Sequence, residues 1–195
     1  MTIVQLAASL LGLALPWTAA VSTAPPREVP RFDAVYTAHF DFVWRSMRRL
    51  GVPPSLVDDA TQDVFVVVHR RLADFEGRSS MKTWLFGIAL RVAKDYRVRA
   101  RRHVTTTLDA DTLRADGESA DATLERREAA RLLDTLLGSI EEERRPVFIL
   151  AELEGVAVPE IAELLRIPLN TAYSRLRLAR ADFERAVGRH ARRNA

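Results

Sequence analysis

The chain of 195 residues contains no cysteine. That absence excludes a disulfide framework, thiolate metal ligation and a cysteine nucleophile, and it is compatible with a reducing compartment. Lysine is almost missing: Lys82 and Lys94 are the only two among 29 basic residues, which reads as codon usage in a GC-rich genome. There is no glycine-rich phosphate loop, no pair of carboxylates suited to acid–base work, and no nucleophile with a base at usable spacing, so an enzyme is the least supported class. The four histidines, His39, His69, His103 and His190, are scattered without ligand spacing. No metal, cofactor or small-molecule substrate is therefore expected. Net charge is only +3, so any affinity for polyanions must come from where the charge sits.

One long apolar run is present, IVQLAASLLGLALPWTAAV at residues 3–21. With the small residues after it, it has the look of an export signal or a short membrane anchor. No lysine or arginine precedes Arg27, and Pro16 interrupts the run, which argues against both. The third reading, a start codon assigned too far upstream, is preferred. Pro25, Pro26 and Pro30 break the chain before the first helix, so residues 1–30 are treated as an extension separate from the fold.

What the chain does have is clearest at residues 155–180, GVAVPEIAELLRIPLNTAYSRLRLAR. Gly155 suits a left-handed helix end, Pro159 the first turn of a new helix, and Ile167-Pro168 its stop. Asn170 is expected to cap a second helix running to about Val187. Ala172, Leu176, Ala179, Phe183 and Val187 form its apolar stripe, with Asn170, Thr171, Ser174, Arg177 and Leu178 opposite and Arg175 and Arg180 flanking. This spacing predicts a helix-turn-helix whose second helix enters a major groove. A plain helical hairpin with a solvated arginine face is the alternative.

Residues 31–103 are helical by periodicity. Phe32, Val35, Tyr36, Phe40, Val43, Met47 and Leu50 mark one helix, stopped by Gly51, Pro53 and Pro54. Val57, Ala60, Val64, Phe65, Val68, Leu72 and Phe75 mark a second, in which VFVVV is read as helix because its periodic flanks are long. Asp58, Asp59, Gln62 and Asp63 lie on its exposed side, either complementing the helix dipole or offering a docking face to a basic partner. After the loop EGRSS at 76–80, a third helix starts near Met81 with the apolar stripe Met81, Leu85, Ile88, Val92 and Tyr96. Arg91, Lys94, Arg101 and Arg102 form a basic stripe beside it, with Arg97 and Arg99 nearby and Trp84 between the two stripes, as a nucleic-acid backbone with stackable bases requires. Residues 104–128 hold seven acids among Thr, Ser, Gly and Ala and read as a flexible acidic linker, with helical periodicity resuming near Ala122. A helix over 141–152 is expected, Pro146 being tolerable only in its first turn.

These segments in this order resemble the extracytoplasmic-function sigma factors of bacterial RNA polymerase. DDATQDVF (58–65) is similar to the polymerase-binding helix, SMKTWLFGIALRVAKDYRVRARR (80–102) to the helix that meets the −10 promoter element, and residues 140–180 to the domain that reads the −35 element. The resemblance implies an all-α fold of two small helical domains, 31–103 and 129–187, joined by the 104–128 linker and followed by a basic tail, 188–195. It implies that Asp59, Gln62, Asp63 and Phe65 bind polymerase. Arg78, Ser79 and Ser80 would capture a flipped base, Trp84, Arg91, Lys94 and Arg97 would guide the melted strand, and Asn170, Thr171, Ser174, Arg175 and Arg177 would read the −35 element. Implied partners are core RNA polymerase, promoter DNA and an anti-sigma factor, and the implied location is cytoplasmic, with membrane association through the extension as the lesser reading. Arg91 stands where the family often has asparagine, Met81 where an aromatic is frequent, and Ala157 where Ser or Thr would cap a helix. The alternatives are a helix-turn-helix regulator acting without polymerase and, on residues 3–21 alone, an exported or membrane-bound helical protein.

Overall fold

The computed structural model describes residues 30–104 and 120–193, with side chains over 30–102 and 128–193. The apolar extension and most of the expected linker therefore lie outside the described residues.

Among the described residues every regular element is helical. Helix α1 is Phe32–Arg49, α2 Val57–Arg71 and α3 Met81–Val104, with short 3-10 turns at Pro54–Leu56 and Leu72–Asp74. These three pack on Val43, Met47, Val64, Val68, Leu85, Phe86 and Ala89, all fully buried. VFVVV is helical, with Val64, Phe65 and Val68 turned inward and Val66 outward. The buried hydroxyls of Ser46 and Thr61 donate to the carbonyls of Phe42 and Val57, at 2.7 and 2.8 Å, so neither is left unpaired. Gly51, at φ 82°, makes the left-handed exit from α1 that a Cβ would strain.

The second unit comprises α4 (Ala120–Gly138), α5 (Arg145–Phe148), α6 (Val158–Leu165) and α7 (Leu169–Arg193). Helix α4 thus begins inside the segment assigned to the linker. The helix expected over 141–152 is instead a short α5 running into a π-helical turn, Ile149–Leu153, although Pro146 does sit in the first turn. Leu137, Ile140, Val147, Ile149, Leu150 and Ile161 bury the interior.

Gly155, at φ 66°, takes the left-handed conformation the sequence predicts. Helix α6 starts from Ala157 without a side-chain cap, and Pro159 lies in its first turn. Its end differs from expectation. Arg166 adopts φ 54°, ψ 47°, the Ile167 N–H donates to Ala162 O and the Arg166 N–H to Glu163 O, which is a Schellman closure built without glycine. Helix α7 starts at Leu169, with the Ala172 N–H donating to Pro168 O at 3.1 Å. Asn170 therefore stands in the first turn rather than capping it. The helix also continues through most of the expected tail, and Val187 is exposed while Asp182 and Ala186 take inward positions.

The two units touch. Helix α6 crosses α3 so closely that a Cβ on Gly87 would stand 2.9 Å from Leu164 Cδ1, and one on Gly51 would stand 2.6 Å from Arg145 Nη1.

Candidate nucleic-acid interface

The second helix of the helix-turn-helix is anchored from behind. Ala172, Leu176 and Ala179 are buried, and Phe183 packs on Phe148 with ring centroids 5.0 Å apart. Asp182, nine-tenths buried, accepts from Arg144 Nη1 at 3.1 Å and pairs with Arg185, tying α7 to the segment before α5. The opposite face carries Asn170, Ser174 and Arg177, all exposed, as the sequence predicts. Thr171 is half-buried, and Ser174 Oγ donates to Thr171 O at 3.0 Å. Arg175 leans toward the scaffold, where its Nη2 meets Glu143 Oε2 at 2.6 Å, and Arg180 likewise meets Glu152 at 2.6 Å. Each guanidinium is thus held by a carboxylate that a phosphate would have to displace. Tyr173, 51% exposed between Asn170 and Arg177 and outside the residues that periodicity marks, offers a ring and a hydroxyl on the same face.

Helix α3 separates its charged residues. Arg91 and Lys94 are exposed. Trp84 is half-buried, its ring 5.3 Å from that of Phe75, so one face is taken by protein. Arg97, expected near the basic stripe and by resemblance on the melted strand, is turned inward: its Nη1 donates to Leu50 O, its Nη2 to Glu142 Oε1 at 2.9 Å, and its side chain is only 11% exposed. Three apolar residues of α3, Phe86, Ala89 and Ala93, are buried outside the stripe that the sequence marks. Their burial rotates that face and carries Arg97 toward the second unit.

The loop before α3 holds Arg78, paired with Glu76, and Ser79 and Ser80. Ser80 Oγ accepts from the Thr83 N–H at 3.1 Å and shares a 2.8 Å bond with the Thr83 hydroxyl, which makes it the N-cap of α3. Ser80→Ala is expected to cost about 1 kcal/mol, because it frees a first-turn N–H and orphans the buried Thr83 hydroxyl. Thermal melting of the variant beside Ser79→Ala, which caps nothing, checks this; equal melting temperatures would remove the cap.

The acidic face of α2 presents Asp59, Gln62 and Asp63 to solvent. Asp63 Oδ2 accepts from the Tyr96 hydroxyl at 2.8 Å, and burial followed by that bond pushes the phenol up to about 12, keeping it a neutral donor. Asp58 Oδ1 accepts from Trp44 Nε1 at 2.9 Å. Phe65 does not share this face. It is 3% exposed, stacked on Phe40 at 6.1 Å and against Tyr36 at 4.7 Å, so it shapes the helix from within and presents no surface. Periodicity already sets Phe65 in the apolar stripe of α2 and Asp63 on its exposed side; only the family resemblance places Phe65 at a polymerase surface.

Comparison with known proteins follows the same division. Residues 35–103 match the family model for Sigma-70 region 2, and residues 130–183 that for Sigma-70, region 4. The ECF RNA polymerase sigma-E factor of Escherichia coli strain K12 is 30% identical over 146 residues, covering 70% of this chain and 76% of its own. The RNA polymerase sigma-H factor of Pseudomonas aeruginosa is 30% identical over 138 residues, 66% of this chain and 72% of its own. The structure of CnrH in complex with the cytosolic domain of CnrY superposes with a TM-score of 0.58 at 25% identity, covering 80% and 87% of the two chains. At 18% identity, the sigma factor RpoE bound to the anti-sigma factor NepR from Bartonella quintana shares the fold, with a TM-score of 0.62 over 80% and 96%. Two helical units in this order, each matching a sigma region, place the chain in the extracytoplasmic-function sigma factor family, with a sigma factor's role in transcription initiation.

Proposed function

We propose that the chain binds core RNA polymerase through the α2 face of Asp59, Gln62 and Asp63 and delivers two DNA-reading surfaces to a promoter. The observation that supports this best is the combination, on one chain, of that exposed acidic face with two exposed cationic helices. Asn170, Ser174 and Arg177 on α7 read base edges of the −35 element, while Arg175 and Arg180 turn to phosphates. Arg91 and Lys94 on α3 track the melted −10 strand, Trp84 gives it a ring, and Arg78 and Ser79 line the loop that receives a flipped base. The work is binding without bond chemistry. Unstacking the −10 bases is offset by contacts made only to the open strand, and the two weak DNA contacts reinforce each other once polymerase fixes their spacing.

The proposed domains are 31–103 and 129–187, and the proposed location is the cytoplasm. No helix among the described residues is long and apolar enough to cross a membrane. CnrH and RpoE were each solved with a bound partner protein, and an anti-sigma factor that covers the polymerase-binding faces is the corresponding expectation here.

The test is a pull-down of core polymerase with Asp59→Arg combined with Gln62→Ala. Both side chains are exposed, and the charge reversal in the first turn of α2 costs only about 0.3–1 kcal/mol of fold stability. Core binding is expected to fall about tenfold or more. Wild-type strength in the variant would move the polymerase contact elsewhere, and no binding by the wild type would favour a regulator that acts alone.

A further inference from the structure

A cleft of about 400 Å³ lies where the C-terminal half of α3 meets the start of α5. Arg97, Ala100 and Arg101 line it from α3, Arg145 from α5, and Gly51 and Pro53 from the turn after α1. Among the described residues the lining holds three guanidiniums and no carboxylate. One acid outside the lining serves two of them. Glu142 Oε1 takes Arg97 Nη2 at 2.9 Å, and the other oxygen of Glu142 pairs with Arg101. The acids on either side are engaged elsewhere, Glu141 with Arg144 and Glu143 with Arg175. Three guanidiniums against one carboxylate leave two positive charges in excess.

The cluster is also short of acceptors. Arg145 gives its Nη2 to the carbonyls of Gly138 and Ile140, both at 3.0 Å, and Arg97 gives its Nη1 to Leu50 O. The Nε atoms of both residues are buried without a hydrogen-bond partner. Burial, and then the charge of Arg97, lower the affinity of the Arg145 guanidinium for its proton. Cations drawn from water without full counter-charge are costly, and an anion offsets that cost.

We propose that this cleft is a binding site for a small diphosphate, inorganic or carried on an organic molecule, held between Arg101 and Arg145 with Arg97 behind them. Guanidinium forks match phosphate oxygens two bonds at a time. The volume falls within the range of small-ligand clefts, about 300–1,000 Å³. No aromatic ring lines it, and Pro53 and Ala100 offer only apolar contact, so recognition rests on the phosphates and not on an attached base. A nucleic-acid strand spreads its charge one phosphate at a time, whereas a diphosphate brings two groups to one point. The cleft lies outside the faces proposed for polymerase and promoter, so this inference goes beyond the proposed function and stands or falls separately from it.

The test is titration of the full chain, without polymerase, with inorganic pyrophosphate, followed by calorimetry and by thermal shift. Pyrophosphate is expected to bind about tenfold tighter than inorganic phosphate, because it adds at least one charge-assisted bond. ADP is a further arm: binding beside pyrophosphate extends the site to organic diphosphates, and exclusion restricts it to the inorganic one. Arg101→Gln changes an exposed side chain and is expected to lower the affinity about tenfold. Ala100→Glu sets a carboxylate in the lining and is expected to abolish binding. Arg70→Gln and Val98→Glu make the same charge changes at exposed positions outside the cleft and are expected to stay within about twofold of wild type. Melting curves confirm that each variant is folded. No binding of pyrophosphate by the folded wild type, or equal losses in Arg101→Gln and Arg70→Gln, would overturn the site. A short single-stranded DNA that weakens with Arg101→Gln while pyrophosphate does not bind would assign the cleft to nucleic acid and overturn it as well.

Discussion

Replacing Asn170 and Arg177 together with alanine is expected to lower initiation at a promoter recognised by this chain about a hundredfold, with core binding and melting temperature unchanged. Both side chains are exposed two turns apart on α7, on the side away from the buried Ala172, Leu176 and Ala179. Exposed positions of this kind change stability by no more than about 0.5 kcal/mol. A good base-edge contact discriminates by about 1–3 kcal/mol, and each 1.4 kcal/mol is tenfold, so two lost contacts reach the hundredfold range. Ser174→Ala should cost less, because its hydroxyl already donates to Thr171 O and must exchange that bond to meet DNA. The check is run-off transcription with the variant holoenzyme on a wild-type promoter and on one with a scrambled −35 element. A double variant that loses equally on both templates would mean that α7 contributes only charge, and one that loses on neither would remove it from recognition.

Phe86→Ala is expected to destabilise the first unit by about 3–5 kcal/mol. The ring is fully buried and is the largest such side chain among the described residues, on a helix, α3, that packs against both α1 and α2. Against a typical domain stability of about 5–15 kcal/mol, this leaves little margin. Loss of promoter opening in this variant would follow from loss of fold, which distinguishes it from Asn170 and Arg177. Denaturant unfolding checks the value. A change below about 1 kcal/mol would mean that the helices collapse around the missing ring and that the packing of α3 is not what positions Arg91 and Lys94.

Much of this was legible from sequence because the punctuation is local. Gly155, Pro159 and Pro168 each act on their own backbone, and the structure breaks the chain at Gly155 and Pro168 and puts Pro159 in the first turn of α6. The VFVVV segment could be read as helix because its neighbours share the helical period. What sequence did not give depends on contacts between distant residues. Arg166 closes α6 in a left-handed conformation that propensity alone would assign to Gly or Asn. Asn170 looks like a cap, but the helix starts two residues earlier, where the Pro168 carbonyl accepts from the Ala172 N–H. Asp182 lies in a run of charged residues and becomes a buried anchor only because Arg144 arrives from 38 positions away. Arg97 falls on a plausible face of its own helix, yet Glu142 covers it. Periodicity ranks the sides of a helix; it does not name the partner that packs on each.

The decisive measurement is multi-template run-off transcription on fragmented host DNA, using core polymerase with this chain as the only sigma factor and with residues 1–30 both present and removed. Transcripts starting a fixed distance downstream of paired −35 and −10 sequences are expected from at least one of the two forms. No transcript above that of core polymerase alone, from either form, would contradict a role in initiation.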